Sequence, residues 1–302
     1  DNMATTTNST DTMPKTDMPA APKKRGGRPS KRVLPFGTYL VTRVAVYGMI
    51  LAVLVPMAYL VSMSFTDNTA RETIAFFIPK NPTLKNYTYA LEYAAAVLRI
   101  PIWRMYMNSG IYTTTSIIIS LVLSATAAFG FANYDFKAKE FLFILILATM
   151  MIPGQALLIP LFLLLKRFEL LDTYFALILP YAALGVPFTT LLLRGFFEAL
   201  PLELRDAARI DGATDFRYFW RIVLPLSIPA LATVIIFLFL FYWNEFLLAL
   251  VMIQDESLQP LTLGLSRITA ARAPAPVPTY AAVILLTVFP ILIVFMIFQR
   301  WF

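Results

Sequence analysis

The stretch VAVYGMILAVLVPMAYLVSMSFT, residues 44–66, contains no charged side chain and lies between Arg43 and Asp67. A helix rises about 1.5 Å per residue and the hydrocarbon core of a bilayer is about 30 Å thick, so this run predicts a membrane-spanning helix. The run is too long for the apolar core of a secretory signal peptide. We therefore interpret it as a signal anchor that remains in the mature chain.

Further apolar runs of spanning length follow along the chain, at residues 108–131, 141–165, 173–193, 228–252 and 280–298. The chain is 59% hydrophobic and only 14% charged, which places it well outside the range of soluble domains. The sequence predicts an all-α polytopic membrane protein with about six transmembrane helices. Pro180, Gly185 and Pro187 interrupt the fourth run and predict a kink or a break there.

Polar segments divide the chain around these runs. Residues 1–43 are rich in Thr, Pro, Lys and Arg without apolar periodicity, so we expect a disordered basic tail. Residues 67–107 are expected to form an extracytoplasmic loop. Residues 108–298 are expected to form a core domain of spans two to six, and residues 299–302 a short cytoplasmic end.

The distribution of basic residues predicts the orientation of the chain. With the amino terminus inside, the cytoplasmic segments hold 16 Lys and Arg and the outer segments hold 9. Basic residues are retained on the cytoplasmic side during insertion. We therefore expect a multi-pass protein of the cell (plasma or inner) membrane with both termini cytoplasmic. Eight of the 25 Lys and Arg lie in residues 1–43, which favours contact with anionic lipid over binding of nucleic acid.

One predicted cytoplasmic loop, residues 194–226, differs from the others. The stretch RGFFEALPLELRDAARIDGATDFRYFWRIVLPLSIP, residues 194–229, contains five basic and five acidic residues. Pro201 can start a helix, Gly212 can end it, and Thr214 or Asp215 can cap a second one. The loop is therefore predicted to be a helix-turn-helix exposed at the membrane surface. An amphipathic hairpin lying on the bilayer is an alternative interpretation of the same charge pattern.

The spacing within DAARIDGATDFRYFWRIVLP, residues 206–225, resembles the cytoplasmic loop of permeases in ATP-binding-cassette (ABC) importers. Their pattern is Glu-Ala-Ala, three residues, Gly, nine residues, Ile, one residue, Leu-Pro. Every spacing is kept here, and the only departure is Asp206 in place of Glu. The resemblance implies the fold of a type I importer permease, in which this loop contacts the ATPase.

Other strings are similar to permeases of carbohydrate importers, such as the second membrane subunit of the maltose transporter. They are Asn108-Ser109, Leu224-Pro225-Leu226-Ser227 with Pro229, and Trp243-Asn244-Glu245-Phe246. The resemblance implies a subunit that moves a sugar or related polyol through the bilayer. Its implied partners are a second permease subunit, an ABC ATPase dimer and an extracytoplasmic substrate-binding protein.

The coupling contact is expected to involve one set of residues in the loop: Glu203, Asp206, Ala207, Ala208, Arg209, Gly212, Ile222, Leu224 and Pro225. Ala207 and Ala208 are expected on the helix surface, where small side chains allow the helix to enter a cleft. Asp206 and Arg209 offer charges that fix its register. The sequence lacks a GxxxxGK[ST] phosphate loop, so ATP and Mg are expected on the ATPase, with no cofactor in this chain.

Glu245 is the acidic residue within a predicted span, where an ionisable group indicates function. It either reaches water or a neighbouring subunit near the outer interface, or it lines the path of the solute. Asn108, Trp243 and Asn244 are weaker candidates for that path, since Trp243 can stack on a sugar face or anchor the helix at the interface.

Two other classes of protein are alternatives. A secondary transporter or channel driven by an ion gradient is compatible with six spans, but it does not explain the spacing of residues 206–225. A membrane-embedded enzyme would need catalytic groups facing a cavity. The chain contains no His and no Cys, which removes the commonest general base and the thiolate ligands of metal sites. We therefore expect no catalytic residues and no metal site.

Overall fold

The computed structural model describes residues 36–67, 78–79, 81–269 and 276–301, and the regular structure within these ranges is helical. The chain divides into two compact units, Asp1–Ala52 and Val53–Phe302. Helix α1 (Phe36–Ser64) begins in the first unit and ends in the second. Residues 1–35 of the predicted tail lie outside the described residues.

Helix α1 starts eight residues earlier than the first apolar run. The expectation of a disordered tail is therefore wrong for residues 36–43, which are helical. The Arg43 guanidinium lies 4.7 Å from the centre of the Tyr39 ring, one turn earlier. Residues 36–42 carry no charge, so the helix is uncharged on both sides of Arg43.

The second unit contains the remaining helices. These are α2 (Lys85–Leu98), α3 (Ile102–Asn133), α4 (Lys139–Ala148), α5 (Leu158–Arg167), α6 (Phe175–Glu198), α7 (Leu202–Ile210), α8 (Asp215–Tyr218), α9 (Leu224–Leu226), α10 (Ile228–Trp243), α11 (Leu247–Met252), α12 (Leu261–Thr269) and α13 (Val277–Phe298). A π-helical turn, Phe219–Val223, joins α8 to α9. Short 3₁₀ turns at Thr149–Met151 and Gly154–Leu157 separate α4 from α5.

Four helices in the described part of the chain are long and apolar enough to cross a bilayer. Two bent pairs of helices could each form one further span, which gives the six that the sequence predicts. The first pair, Lys139–Met151 with Gly154–Arg167, is bent by 92°. The predicted third span is thus broken at Pro153, where the ring removes a backbone donor and Gly154 follows. The second pair, Asp215–Leu226 with Ile228–Trp243, is bent by 74°.

Helices α3 and α6 pack along their lengths through a ladder of serine hydroxyls. Ser116, Ser120 and Ser124, spaced four residues apart, donate to the carbonyl oxygens of Ile178, Ala182 and Val186 at 3.3, 3.0 and 3.1 Å. Side chains four residues apart share one face of a helix, so the ladder fixes the register of the pair. Helix α6 runs without interruption through its two prolines, and the predicted break does not occur.

Candidate functional site

Helix α7 begins directly after Pro201 and ends in a Schellman motif. The amide of Ala213 donates to the carbonyl of Ala208 at 2.9 Å, and the amide of Gly212 donates to that of Arg209 at 3.0 Å. Gly212 has φ +72°, a left-handed conformation that glycine adopts without a steric cost. The hydroxyl oxygen of Thr214 then accepts from the amide of Arg217 at 3.3 Å and caps α8. Two short helices therefore flank a sharp turn at Gly212.

The outer face of this loop combines charges with large apolar side chains. Glu203, Asp206, Ala207 and Arg209 are all exposed. So are Leu202, Ile210, Phe216 and Trp220, of which Ile210 is 86% exposed. Apolar side chains in such a group indicate a surface that a partner covers. Further along the loop, Ile222 and Leu224 are half-buried and Pro225 is exposed.

Ala208 does not lie on this face, and the expectation that it does is wrong. Its side chain is 5% exposed and belongs to the core cluster, together with the partly buried Leu204 and Ala213. Residues four apart share one face of a helix, so Ala208 follows Leu204 towards the core. Ala207 is therefore the small residue that α7 presents outward.

Arg205 attaches α7 to the end of α3. Its guanidinium donates from Nη1 to the carbonyl oxygen of Asn133, and its Nη2 lies 4.0 Å from Oδ1 of Asp215. The ring of Tyr134 lies 5.4 Å from the guanidinium carbon, and the Tyr134 hydroxyl donates to Oδ2 of Asp215 at 2.6 Å. That bond raises the pKa of Tyr134, because the carboxylate stabilises the protonated phenol. The sequence gives no local sign of this network, since its members are distant in the chain.

Aromatic packing supports the same junction from beneath. The Phe129 ring on α3 lies 4.9 Å from the Phe219 ring and 6.1 Å from the Tyr218 ring, measured between centroids. Tyr218 and Phe219 are both buried. A displacement of the exposed loop would therefore act on α3 through the polar network and this cluster together.

Asn108, predicted as part of the solute path, is instead a structural residue. It is 1% exposed, and its Nδ2 donates to the carbonyls of Ser257 and Gln259 at 3.0 Å each. Its Oδ1 accepts from the Tyr174 hydroxyl at 2.9 Å. Both amide donors are thereby engaged within the chain, which leaves none for a solute. The expectation for Asn108 is therefore wrong.

Trp243 is also buried and does not line a path for the solute. It is 5% exposed, its Nε1 donates to the carbonyl of Thr287 at 3.3 Å, and its ring stacks on Phe239 with centroids 5.2 Å apart. The indole is thus packed between α10 and α13, where it cannot stack on a sugar. Asn244 is exposed, and its side-chain amide donates to the carbonyl of Leu240 at 2.8 Å.

Glu245 lies in the break between α10 and α11. Its Oε1 accepts from the amide of Leu248 at 2.8 Å, and its Oε2 accepts from the amide of Ala249 at 3.2 Å and from the Tyr181 hydroxyl at 2.8 Å. The carboxylate therefore caps the first turn of α11 and is held by α6. Tyr181 in turn stacks on Tyr242, with centroids 5.3 Å apart and ring planes 6° from parallel.

A cavity of about 830 Å³ lies beside Glu245. Its walls come from the broken segment between Thr149 and Leu161, from α6, from α10 and from the start of α11. Pro180, Gly185 and Pro187, predicted to interrupt the fourth span, all lie on its wall. Of the four residues predicted for the solute path, Glu245 alone lines this cavity. Among the described residues, no group of three His, Cys, Asp or Glu side chains is placed to hold a metal ion.

Comparison with known proteins places this arrangement among transport proteins. The family model described as "Binding-protein-dependent transport system inner membrane component" matches residues 120–302. The matched region includes the exposed loop, the cavity walls and Glu245.

Two relatives and one solved structure illustrate the likeness. The diacetylchitobiose uptake system permease protein NgcG of Streptomyces coelicolor is 33% identical over 249 residues, which cover 82% of this chain and 80% of that protein. The arabinooligosaccharides transport system permease protein AraQ of Halalkalibacterium halodurans is 35% identical over 254 residues, covering 82% and 87%. A chain of a bacterial ABC transporter involved in the import of the acidic polysaccharide alginate superposes with a TM-score of 0.76 at 25% identity, covering 88% and 96%.

Proposed function

The chain belongs to the family of binding-protein-dependent transport system inner membrane components, as a permease subunit of an ABC importer, and we propose that it carries a sugar or an oligosaccharide. Relatives named for diacetylchitobiose and for arabinooligosaccharides support a carbohydrate substrate. With a second permease, the chain would form a path whose access alternates between the two faces of the membrane.

The observation that supports coupling to an ATPase is the exposed face of α7. A short helix with a Schellman end projects Asp206, Ala207 and Arg209 outward beside exposed Leu202 and Ile210. We propose that this face is the seat of the ATPase dimer, whose closure pushes on α7. Charged side chains would fix the register and the apolar ones would supply buried contact area.

The orientation follows from this assignment. The loop of residues 194–226 would lie in the cytoplasm with the ATPase, and both termini would lie on the same side because six spans separate them. The opposite face would receive the extracytoplasmic substrate-binding protein. ATP and Mg would bind to the ATPase, so this chain would supply shape and force transmission and catalyse no reaction.

The proposal can be tested by reconstituting the complete importer in proteoliposomes. We expect uptake of radiolabelled arabinooligosaccharide or diacetylchitobiose to need ATP and the binding protein and to stop with vanadate. Uptake that continues without ATP and collapses with an ionophore would instead indicate an ion-gradient-driven transporter. A variant with Glu203 and Arg209 both replaced by alanine tests the interface. We expect a smaller amount of ATPase to copurify with the permeases in this variant.

A further inference from the structure

The cavity beside Glu245 has a marked imbalance of charge. Among the described residues on its wall, Glu245 is the charged one and none is Lys or Arg. Thr149 and Gln155 of the broken segment add neutral polar groups to the wall, and Phe188, Phe237 and Phe241 add aromatic surface. An apolar and aromatic cavity with a few polar groups is typical of a small-molecule site.

The backbone along one wall is irregular where the broken span passes the cavity. Ile152 and Gly154 line the wall on either side of Pro153, between two 3₁₀ turns. Irregular backbone at membrane depth is tolerated where it is buried in protein or faces a water-filled space. Ile152 is 48% exposed, and Gly154 is exposed as well, so this chain alone leaves that stretch of backbone uncovered.

The Glu245 carboxylate is held in place by three donors, namely the Tyr181 hydroxyl and the amides of Leu248 and Ala249. An ionised carboxylate accepts hydrogen bonds and donates none. The first amides of α11 are already occupied by this side chain, so they cannot serve an incoming anion. An anionic solute at this wall would meet a fixed negative charge, which would repel it.

We propose that this cavity is the section of the solute path contributed by this chain, and that Glu245 makes it select uncharged saccharides over anionic ones. A neutral saccharide can donate its hydroxyls to Glu245 and Gln155 and lay its apolar ring faces on the phenylalanines. This inference rests on the proposed function, since it assigns the class of sugar that the importer carries.

The absence of cysteine from the chain allows a direct test of charge in the cavity. Ala183 is exposed and lines the cavity, so Ala183→Cys introduces a single thiol there with a small change of volume. The complete importer carrying this variant is treated in membranes with methanethiosulfonates that bear a trimethylammonium or a sulfonate group. The rate of modification of this chain is followed by mass spectrometry, and each rate is divided by that of a free thiol.

We expect the corrected rate with the cationic reagent to exceed that with the anionic reagent about threefold or more, since opposite charges attract and like charges repel. Glu245→Gln on the same background should bring the ratio close to one, whereas Glu245→Asp should keep it. Glu256→Gln is the matched control, because that carboxylate is exposed and does not line the cavity. It should leave the ratio unchanged.

An unchanged ratio in the Glu245→Gln variant would overturn the inference. Failure of both reagents to reach the introduced thiol would also overturn it, since the cavity would then lie off the solute path. The proposed function has a separate readout, the ATP-driven uptake of neutral saccharide by the unmodified importer. If the importer takes up neutral saccharide but the ratio of modification rates does not depend on Glu245, charge selection alone is rejected. If it takes up no saccharide, the proposed function is rejected.

Discussion

The hydroxyl of Tyr242 occupies the space that a side chain at Gly185 would need. A Cβ built at Gly185 would overlap the Tyr242 oxygen and would approach Leu238 Cδ2 to 2.9 Å. The same hydroxyl lies 2.8 Å from Ser120 Oγ, so it joins α10 to the serine ladder between α3 and α6. Glycine at this position permits three helices to meet behind the cavity wall.

Gly185→Ala should therefore destabilise the protein, although alanine favours a helix by about 1 kcal/mol over glycine. Overpacking a filled site costs about 1–3 kcal/mol, which exceeds that gain. Thermal unfolding of the purified protein in detergent should show a lower midpoint. Tyr242→Phe removes the obstructing oxygen and should recover part of the loss in the double variant. If Gly185→Ala alone matched the wild type, the close contact would have no energetic consequence.

Gly212→Val should impair coupling without a clash, because no atom lies within 4 Å of the position that its Cβ would take. The cost arises from the left-handed backbone and amounts to about 1–2 kcal/mol for an ordinary residue. Gly212→Asn is the matched control, since asparagine adopts this conformation more readily. We expect uptake to fall strongly for valine and mildly for asparagine, with equal membrane insertion. Uptake at the wild-type level in both variants would exclude a role for the turn.

Asp206→Lys should weaken association with the ATPase, whereas Asp206→Glu should preserve it or strengthen it. Asp206 is exposed, so reversal of its charge acts on the contact with a partner. The measurement is the amount of ATPase that copurifies with the permeases as salt is raised, because screening weakens exposed ion pairs. Asp135→Lys changes an exposed carboxylate outside the loop and serves as the control. Retention of the ATPase by Asp206→Lys at every salt concentration would contradict the assignment.

Arg205→Ala should separate ATP hydrolysis from uptake. The side chain holds the carbonyl of Asn133 and lies beside Asp215, so its loss releases α7 from the end of α3. We expect hydrolysis to continue while the number of saccharides moved per ATP falls several-fold. Arg221→Ala, at an exposed position in the π-helical turn Phe219–Val223, is the control for charge removal. A proportional fall of hydrolysis and uptake would point to a structural role alone.

Asn108→Ala should lower stability and leave solute selectivity unchanged. The buried carbonyl of Gln259 and the half-buried hydroxyl of Tyr174 would lose their bonds, while the Ser257 carbonyl would keep its bond from Arg104. Unsatisfied buried groups cost about 1–3 kcal/mol each. Limited proteolysis of the segment at residues 253–260 should become faster, and the ratio of uptake between two sugars should stay constant. A change in that ratio would return Asn108 to the solute path.

The sequence was sufficient to predict the helical class and the six apolar runs. Apolar run length is a local property, and a helix in lipid satisfies its own backbone, so these features need no knowledge of neighbours. The turn at Gly212 could also be predicted, because a glycine that ends a helix is a local signal. Pro153 and Gly154 form a local turn signal, but the break was missed because the uncharged run at residues 141–165 was counted as one span by its length.

Which face a residue presents could not be read from the sequence. Asn108, Trp243 and Ala208 belong to strings that suggested function, but each is buried, and Asn108 and Trp243 bond to segments that are distant in the chain. The bond from Arg205 to Asn133 spans 72 positions and the bond from Tyr181 to Glu245 spans 64. Contacts of this kind arise from helix packing, which apolar periodicity does not specify.

Helix α3 is attached at both of its ends to segments that are distant from it in the chain. Near its start, Asn108 and Tyr112 hold the backbone of residues 257–259, and at its end the carbonyl of Asn133 is held by Arg205. Its 32 residues span about 48 Å. A tilt of about 5° about its midpoint would move the two ends about 2 Å in opposite directions. Closure at one face of the membrane and opening at the other can thus be the same rotation of one helix.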